Sequence, residues 1–309
     1  MTWSRSVQGY GAALASAFFL STTSVLIRFL VTRYDLPPLV LASWRNIIAL
    51  ITVLPFLVLF GRHLLGASRK DIPFLALFGL VLAIFNISWV ISVAHNGAAV
   101  ATVLVYCSPA YTAILGWKWL GERLSIHTWV AIVLSLLGCV FVAKAYDLQV
   151  WQTNFLGLMA GLVTGLCYTA YSLMGRIASD RGLSPWTTLV YMFGFVGLYV
   201  FITNMGGLMA GSSMAGSMFW LGSNAKGWLV LIALGAIPTV AGYGFYNFSL
   251  TLLDASVANI VISAEPVFAM IFAYIFLHEI MTPIQLMGAG LLFLGLFVLK
   301  FSDLHKNME

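Results

Sequence analysis

Apolar segments of about 20 residues recur along the whole chain, separated by short stretches that hold charges, glycine or proline. A segment of about 20 apolar residues is long enough to cross the hydrocarbon core of a bilayer as an α-helix. The pattern predicts ten such helices and therefore an all-α polytopic membrane protein. They are expected at 8–30, 39–60, 73–94, 97–119, 125–144, 155–177, 186–205, 228–250, 255–277 and 283–300.

Several helix ends are marked by turn residues. Asp71-Ile72-Pro73 opens the third helix, and His95-Asn96-Gly97 predicts a tight turn between the third and fourth helices. Pro185 and Pro283 lie just inside predicted helix starts, where a missing N–H costs nothing. The Gly-, Ser- and Met-rich segment 206–227 leaves two alternatives, an extension of the seventh helix or an interfacial helix.

Composition excludes most soluble classes of protein. Of 309 residues only 8% are charged and 61% are hydrophobic, whereas soluble domains have about 25% charged residues. So few charges cannot cover a soluble enzyme, and the scattered basic residues form no patch that would bind nucleic acid. The three cysteines lie inside apolar runs and indicate neither a disulfide nor a metal site, so no cofactor is expected.

Basic residues predict the orientation in the membrane. With the N-terminus inside, ten Lys and Arg are cytoplasmic and four are external, which favours cytoplasmic termini. The cytoplasmic ones are Arg5, Arg62, Arg69, Lys70, Lys118, Arg123, Arg176, Arg181, Lys300 and Lys306, and the external ones are Arg28, Arg33, Lys144 and Lys226. Arg5 before an apolar run also fits a signal peptide, but the run continues well past the small residues at 15–17.

An internal repeat divides the chain into halves at 1–147 and 148–309. At an offset of 157 the equivalent pairs are Val100 and Val257, Ala101 and Ala258, Pro109 and Pro266, Glu122 and Glu279, and Gly138 and Gly295. At an offset of 148, Gly9, Ala13 and Ala17 align with Gly157, Gly161 and Gly165. Small residues at every fourth position predict that both first helices pack closely at an inner seam.

Five helices in each half are an odd number, so the second half is expected to lie inverted relative to the first. Inverted repeats about an axis in the membrane plane are typical of transporters, with the substrate site near the midplane.

Two stretches carry a family resemblance. Ala-Ala-Val-Ala, Ser-Pro-Ala-Tyr and Gly-Glu-Arg-Leu-Ser within 98–125 are repeated as Ala-Ser-Val-Ala, Glu-Pro-Val-Phe and His-Glu-Ile-Met-Thr within 255–282. The pair resembles the two domains of EamA-type members of the drug/metabolite transporter superfamily, and among them bacterial inner-membrane exporters of aromatic amino acids. The resemblance implies a multi-pass membrane exporter. His278, where the family commonly has glycine, departs from the pattern and is expected to affect a helix end.

Glu265 is the sharpest candidate for function. It lies about eleven residues, or about 16 Å, into its helix, where a charge costs about 2.5–3.5 kcal/mol. It could contact a substrate amine or relay protons, or it could be a structural carboxyl that stabilises a kink at Pro266. Pro109 and Pro266 are expected to kink their helices, either as gating hinges or passively.

Arg45, about 9 Å into the second helix, leaves two alternatives: its side chain extends to the outer interface, or it contacts a substrate carboxylate. Amphipathic side chains lie at corresponding depths in several predicted helices. In the resembled family these helices surround the central cavity. The side chains therefore predict a site for a ligand with an apolar body and polar ends. The candidate substrate-binding residues are Asn86, Trp89, Tyr106, Tyr168, Tyr171, Tyr243, Tyr246, Asn247, Asn259, Ser263 and Glu265.

Catalytic motifs of the GxSxG, HExxH and GxxxxGK[ST] types are missing from the sequence, which favours a transporter driven by a gradient over an enzyme. The prediction is a monomeric exporter of small organic metabolites, with aromatic or hydrophobic amino acids as the first candidates. Its partners are one small-molecule substrate and the lipid bilayer, with no nucleic acid. An exporter of another metabolite or drug class, a channel and an intramembrane enzyme remain alternatives, in that order.

Overall fold

The computed structural model describes residues 5–61, 66–105, 108–121, 125–142, 146–147, 155–265, 267–268, 271–272, 275 and 282–306. Helices account for almost all of this part of the chain, and no strand is assigned within it. They are α1 (Arg5–Tyr34), α2 (Pro38–Phe60), α3 (Ile72–Val105), α4 (Ser108–Leu120), α5 (Ile126–Val142), α6 (Phe155–Asp180), α7 (Pro185–Met209), α8 (Ala225–Leu234), α9 (Val240–Leu250), α10 (Ala255–Ile262) and α11 (Pro283–Lys306). A π-helical segment, Gly235–Thr239, joins α8 to α9.

Six helical stretches of the described residues are long and apolar enough to cross a membrane: Arg5–Val31, Pro38–Leu59, Ile72–Trp89, Leu156–Asp180, Pro185–Met209 and Ala225–Leu250. Large apolar side chains lie on their outer surfaces, such as Leu59, which is 74% exposed, and Leu229, which is 68% exposed. Water would penalise such surfaces, whereas lipid tails would not. The expectation of an all-helical, multi-pass membrane protein is confirmed at this level.

The segment after α7 is neither of the two simple alternatives. The helix continues to Met209, so the expected extension is confirmed in part. From there to Ala225 the chain forms turns instead of the interfacial helix that was the other alternative. Asn204 holds these turns, because its side chain donates to the Gly216 carbonyl at 2.9 Å and accepts from the Gly216 amide at 3.1 Å. Leu39 N also donates to Met214 O at 3.0 Å, so the turns cover the start of α2.

Helix α3 is assigned without a gap from Ile72 to Val105, but the chain changes direction within it. A Cβ on Gly161 would lie 2.8 Å from Ser92 Oγ and 2.9 Å from Leu104 Cβ, so both residues lie beside the same point of α6. Twelve residues of straight helix would instead span about 18 Å. The chain therefore folds back between Ser92 and Leu104, and the tight turn expected at His95-Asn96-Gly97 lies in this range.

The kinks expected at Pro109 and Pro266 stay predictions. Pro109 is assigned to α4, and residues 106–107 before that helix lie outside the described residues. In the second half α10 ends at Ile262, Ser263 and Ala264 form a turn, and Glu265 is again helical. Pro266 lies outside the described residues.

Equivalent helices of the two halves pack on each other. α2 packs against α7 and α5 against α11, while α3 packs on α6 much as α9 packs on α1. A Cβ on Gly138 would lie 2.8 Å from the Gly288 carbonyl, and one on Gly295 would lie 3.1 Å from the Ala131 carbonyl. These contacts require α5 and α11 to run antiparallel.

The inner seam predicted for the first helices is confirmed. Ala13 and Ala17 of α1 are completely buried. On α6, a Cβ at Gly165 would lie 2.7 Å from the Leu104 carbonyl, so the backbones of α3 and α6 are in direct contact there. Residues without side chains permit this approach because van der Waals packing is the main attraction between helices in lipid.

Candidate substrate-binding site

Four of the candidate tyrosines form one group, the tyrosine cluster: Tyr168 and Tyr171 of α6 with Tyr243 and Tyr246 of α9. The Tyr246 ring is stacked on Tyr171 with centroids 5.8 Å apart and on Tyr168 with centroids 6.1 Å apart. Tyr243 meets Tyr171 edge to face at 5.8 Å. Each pair is three residues apart on its helix, so both rings face the same side. Tyr171, Tyr243 and Tyr246 are buried, so in this conformation the rings pack on one another as part of the core between α6 and α9.

Hydroxyl groups of the tyrosine cluster form hydrogen bonds with neighbouring polar side chains. The Tyr171 hydroxyl donates to Asn247 Oδ1 at 3.0 Å, and the Tyr246 hydroxyl and Ser172 Oγ share a hydrogen bond of 2.7 Å. Asn247 is only 4% exposed, and its Nδ2 is buried without an acceptor in the described part of the chain. A buried donor without a partner costs about 1–3 kcal/mol, so Asn247 offers a hydrogen bond that a ligand oxygen can accept.

Asn259 belongs to a buried polar network that joins three helices. Its Nδ2 donates to Thr112 Oγ1 of α4 at 2.8 Å and to Ser172 Oγ of α6 at 3.1 Å, while Ser108 Oγ donates to its Oδ1 at 3.4 Å. All four residues are at most 1% exposed. The amide of Asn259 is thus engaged by protein groups, and in this conformation it cross-links α4, α6 and α10. Sequence reasoning missed Thr112 and Ser172, since single hydroxyls in apolar helices carry no distinctive pattern.

Arg45 is held inside the helix bundle by a neutral partner. Its Nη2 donates to Asn86 Oδ1 of α3, and Asn86 is fixed in turn by donation from its Nδ2 to the Leu82 carbonyl at 2.8 Å. Arg45 Nε is buried and has no hydrogen-bond partner among the described residues. The contact with α3 favours the inward orientation of Arg45 over extension to the interface, and it leaves part of the guanidinium unsatisfied.

Glu265, the candidate carboxylate, comes from the second half. It is half-buried and directly follows the turn at the end of α10. Arg45 lies on α2, in the first half, 220 positions earlier in the sequence. The candidate cation and the candidate carboxylate are therefore supplied by different halves of the chain.

A π-helical segment lies against the backbone of Arg45. A Cβ on Gly235 would be 3.0 Å from the Arg45 carbonyl and 2.7 Å from Ile48. Pro238 cannot donate to the carbonyl four residues earlier, and Thr239 Oγ1 donates to that Leu234 carbonyl instead, at 2.7 Å. Such π-segments occur frequently at functional sites, and this one fixes how closely α8 approaches Arg45.

The remaining candidates lie in different surroundings. Trp89 is half-buried on α3, and Ser263 is buried with its hydroxyl donating to the Ile260 carbonyl of its own helix. Tyr106 lies outside the described residues, as does Pro266. Within the searched ranges, no three His, Cys, Asp or Glu side chains come together in a way that could hold a metal ion.

Comparison with known proteins identifies the family. The model of the EamA-like transporter family matches residues 7–144 and again residues 155–301, which together make up most of the chain. The chain belongs to the EamA-like transporter family. Its relatives align with most of its length. An uncharacterized transporter from Archaeoglobus fulgidus is 25% identical over 96% of this chain and 98% of its own. Another, from Bacillus subtilis, is 26% identical over 80% of this chain and 77% of its own.

Two further proteins are similar to this chain, one over part of its length and one in fold. An S-adenosylmethionine uptake transporter from Rickettsia bellii is 30% identical over 45% of this chain and 46% of its own. A crystal structure of a protein 15% identical to this chain superposes with a TM-score of 0.79 over 97% of this chain and 98% of that one. The second similarity concerns the fold alone.

Proposed function

We propose that this EamA-like chain is a secondary transporter of the inner membrane that exports small organic metabolites, with aromatic and hydrophobic amino acids as its first substrates. The observation that carries the proposal is the tyrosine cluster together with Asn247, whose buried Nδ2 has no acceptor among the described residues. Aromatic rings with a free donor, in a chain that also places Arg45 and Glu265 within its predicted helices, match a molecule with an apolar side chain and a polar, doubly charged end. The chain acts as a monomer, with the substrate and the bilayer as its partners.

The proposed architecture has ten spans in two inverted halves, with cytoplasmic termini. At the offset of 157, Gly138 corresponds to Gly295 and Ala131 corresponds to Gly288. The contact between Gly138 and Gly288 is therefore the counterpart of the contact between Gly295 and Ala131. Reciprocal contacts of this kind arise from a two-fold relation. Because α5 and α11 are antiparallel, the axis would lie across the helices, in the membrane plane. The two segments matched by the family model lie one in each half, which further supports this division.

The proposed mechanism is alternating access. Substrate enters from the cytoplasm, binds between the halves and leaves when they rock against each other. Discontinuous helices commonly line such sites, and one occurs among the described residues, where Ser263 and Ala264 form a turn after Ile262. This break removes regular helical hydrogen bonds and provides a point at which the helix can bend. The driving force is a gradient, because the sequence contains no nucleotide-binding motif.

Counterflow in proteoliposomes tests this function. Purified protein is reconstituted in vesicles loaded with unlabelled L-phenylalanine, and entry of the labelled amino acid is followed. Saturable counterflow supports the transporter, whereas an ohmic current without saturation would indicate a channel. Substitution Glu265→Gln is expected to slow counterflow, and Leu229→Ala, on the lipid-facing surface, serves as the matched control.

A second substrate class follows from the Rickettsia relative. S-adenosylmethionine carries an aromatic base together with an amino-acid end, so the same groups could contact it. Counterflow of labelled S-adenosylmethionine with no counterflow of phenylalanine, tyrosine or tryptophan would favour this candidate. It would leave secondary transport intact and reject the amino-acid assignment.

A further inference from the structure

The side chain of Asn259 joins the two halves of the chain through buried hydrogen bonds. Its Nδ2 donates to Thr112 Oγ1 at 2.8 Å, and Thr112 belongs to α4 of the first half. The same Nδ2 donates at 3.1 Å to Ser172 Oγ, on α6 of the second half. These three side chains form the Asn259 link and are at most 1% exposed. Water therefore does not replace their contacts in this conformation.

The Asn259 link lies between the tyrosine cluster and a charged end of the helix bundle. Tyr168, Ser172 and Arg176 follow each other at intervals of four residues on one face of α6, about 6 Å apart along the axis. Tyr168 belongs to the cluster and Ser172 to the link, whereas Arg176 lies 3.4 Å from Asp180 and 4.0 Å from Asp254. Basic residues predict that this charged end is cytoplasmic. The link thus separates the cluster from the predicted cytoplasmic side.

Asn259 lies on a helix that is short enough to move as a unit. α10 has eight residues, Ala255–Ile262, between the turn that follows α9 and the turn formed by Ser263 and Ala264. At the second turn Ala264 N donates to the Val261 carbonyl, three residues back instead of four. Residues at the ends of helices commonly absorb the rotations of hinge movements. The turns provide such points at both ends of α10.

The link also reaches the tyrosine cluster through a hydroxyl group. Ser172 has a single hydroxyl proton, which it donates to the Tyr168 carbonyl at 2.9 Å. In the 2.7 Å hydrogen bond between Ser172 Oγ and the Tyr246 hydroxyl, Tyr246 is therefore the donor. Ser172 Oγ thus accepts from both Tyr246 and Asn259. A movement of the Tyr246 ring would remove one of these bonds and change the surroundings of the other.

We infer that Asn259 is a latch that holds α10 against α4 and closes the predicted cytoplasmic side of the substrate pathway. The inference rests on the proposed transport function and names a contact that alternating access has to break. In the closed state each polar atom of the Asn259 side chain has a protein partner, with Ser108 Oγ the most distant at 3.4 Å. When α10 moves away, water takes these places. A partly opened latch leaves the buried amide half-satisfied, which is unfavourable, so two discrete positions are favoured.

Labelling of an engineered cysteine tests the latch in the purified full chain in detergent. The three native cysteines are first changed to alanine. Ser256→Cys then places a thiol one turn before Asn259, at a position that is 2% exposed. Addition of Asn259→Leu should raise the rate of labelling by a charged methanethiosulfonate about tenfold, because loss of the hydrogen bonds releases α10.

Ala178→Cys is the matched control. Ala178 lies near the same end of α6 and is 1% exposed, but it packs against Leu75 and Leu183 instead of α10. Its labelling rate should not change when Asn259→Leu is added. Equal acceleration at positions 178 and 256 would show that Asn259 only stabilises the fold, and this would overturn the inference. An unchanged rate at position 256 would overturn it as well.

Thr112→Val is a milder variant for the case that Asn259→Leu folds poorly. It removes one hydroxyl partner of Asn259, so labelling at Ser256→Cys should rise about threefold. Both substitutions break the same hydrogen bond, and the double variant should therefore be labelled no faster than Asn259→Leu alone. Rates that multiply in the double variant would contradict a shared latch.

A reversible cross-link connects the latch to transport. Thr112→Cys and Asn259→Cys, joined by a short reducible bifunctional thiol reagent, should stop L-phenylalanine counterflow, and reduction should restore it. Full counterflow by the cross-linked protein would overturn the inference. Failure of the proposed function is distinguishable, since the wild type would then show no counterflow for any metabolite class. The labelling rates need no substrate and still decide whether Asn259 holds α10 closed.

Discussion

Ser108 and Glu265 occupy equivalent positions in the two halves, related by the offset of 157, and each precedes a proline in the sequence. Ser108 is completely buried and bonded to Asn259. Glu265 is half-buried and follows the turn of Ser263 and Ala264 at the end of α10. The comparison teaches that the repeat places a hydroxyl with a structural partner in one half and an ionisable carboxyl at the same position of the other.

The largest expected effect comes from giving position 265 the side chain of its counterpart, Ser108. Loss of a charge-assisted contact in Glu265→Ser costs about 1.5–3 kcal/mol, which corresponds to about a 10- to 150-fold change. Phenylalanine counterflow should therefore fall by this factor, with little change in thermal stability. An unchanged initial rate at equal protein density would show that the two positions are chemically equivalent.

A smaller effect is expected where the halves touch most symmetrically. Gly138→Ala would place a Cβ 2.8 Å from the Gly288 carbonyl, and Gly295→Ala one 3.1 Å from the Ala131 carbonyl. Overpacking costs about 1–3 kcal/mol, and the loss should be larger for Gly138, where the gap is shorter. Thermal unfolding in detergent measures both, with Gly290→Ala as control because nothing lies within 4 Å of its Cβ position. A loss at Gly290 equal to the others would contradict the close-packing explanation.

Removal of the hydroxyl at the equivalent position of the first half should matter less. Ser108→Ala deletes one hydrogen bond of 3.4 Å to Asn259, and a typical hydrogen bond contributes about 0.5–1.5 kcal/mol. A modest decrease of the unfolding temperature with unchanged counterflow is expected. Reduced counterflow with unchanged stability would mean that Ser108 also takes part in transport.

The smallest effect is expected at the turn between α9 and α10, in the second half. Arg176 of α6 donates to the Leu253 carbonyl at 2.8 Å and lies 4.0 Å from Asp254, at the turn between α9 and α10. A cation at a helix C-terminus contributes about 0.3–1 kcal/mol. Arg176→Gln should lower the unfolding temperature slightly, and Arg176→Lys should restore part of it. An equal loss in both variants would show that packing of the long side chain, not its charge, stabilises the turn.

The sequence predicted helices better than it predicted partners. Apolar runs located most of the helix bodies, and the small residues of α1 and α6 correctly indicated close packing, since both signals depend on local periodicity. The turn expected at 95–97 lies in the range where the chain folds back between Ser92 and Leu104, although the helix assignment continues through it. Tyr168, Tyr171, Tyr243 and Tyr246 were predicted individually, whereas their stacking depends on how α6 meets α9.

By itself, the sequence determined that the chain spans a membrane, that it consists of two related halves and that very few charges lie within its helices. These properties follow from hydropathy, repetition and charge, all of which are read along one dimension. Only the tertiary structure joined Arg45 to Asn86 and stacked Tyr246 of α9 on Tyr168 and Tyr171 of α6. The reason is physical: lipid exerts no hydrophobic force between helices, so close packing and hydrogen bonds between distant segments decide which faces meet.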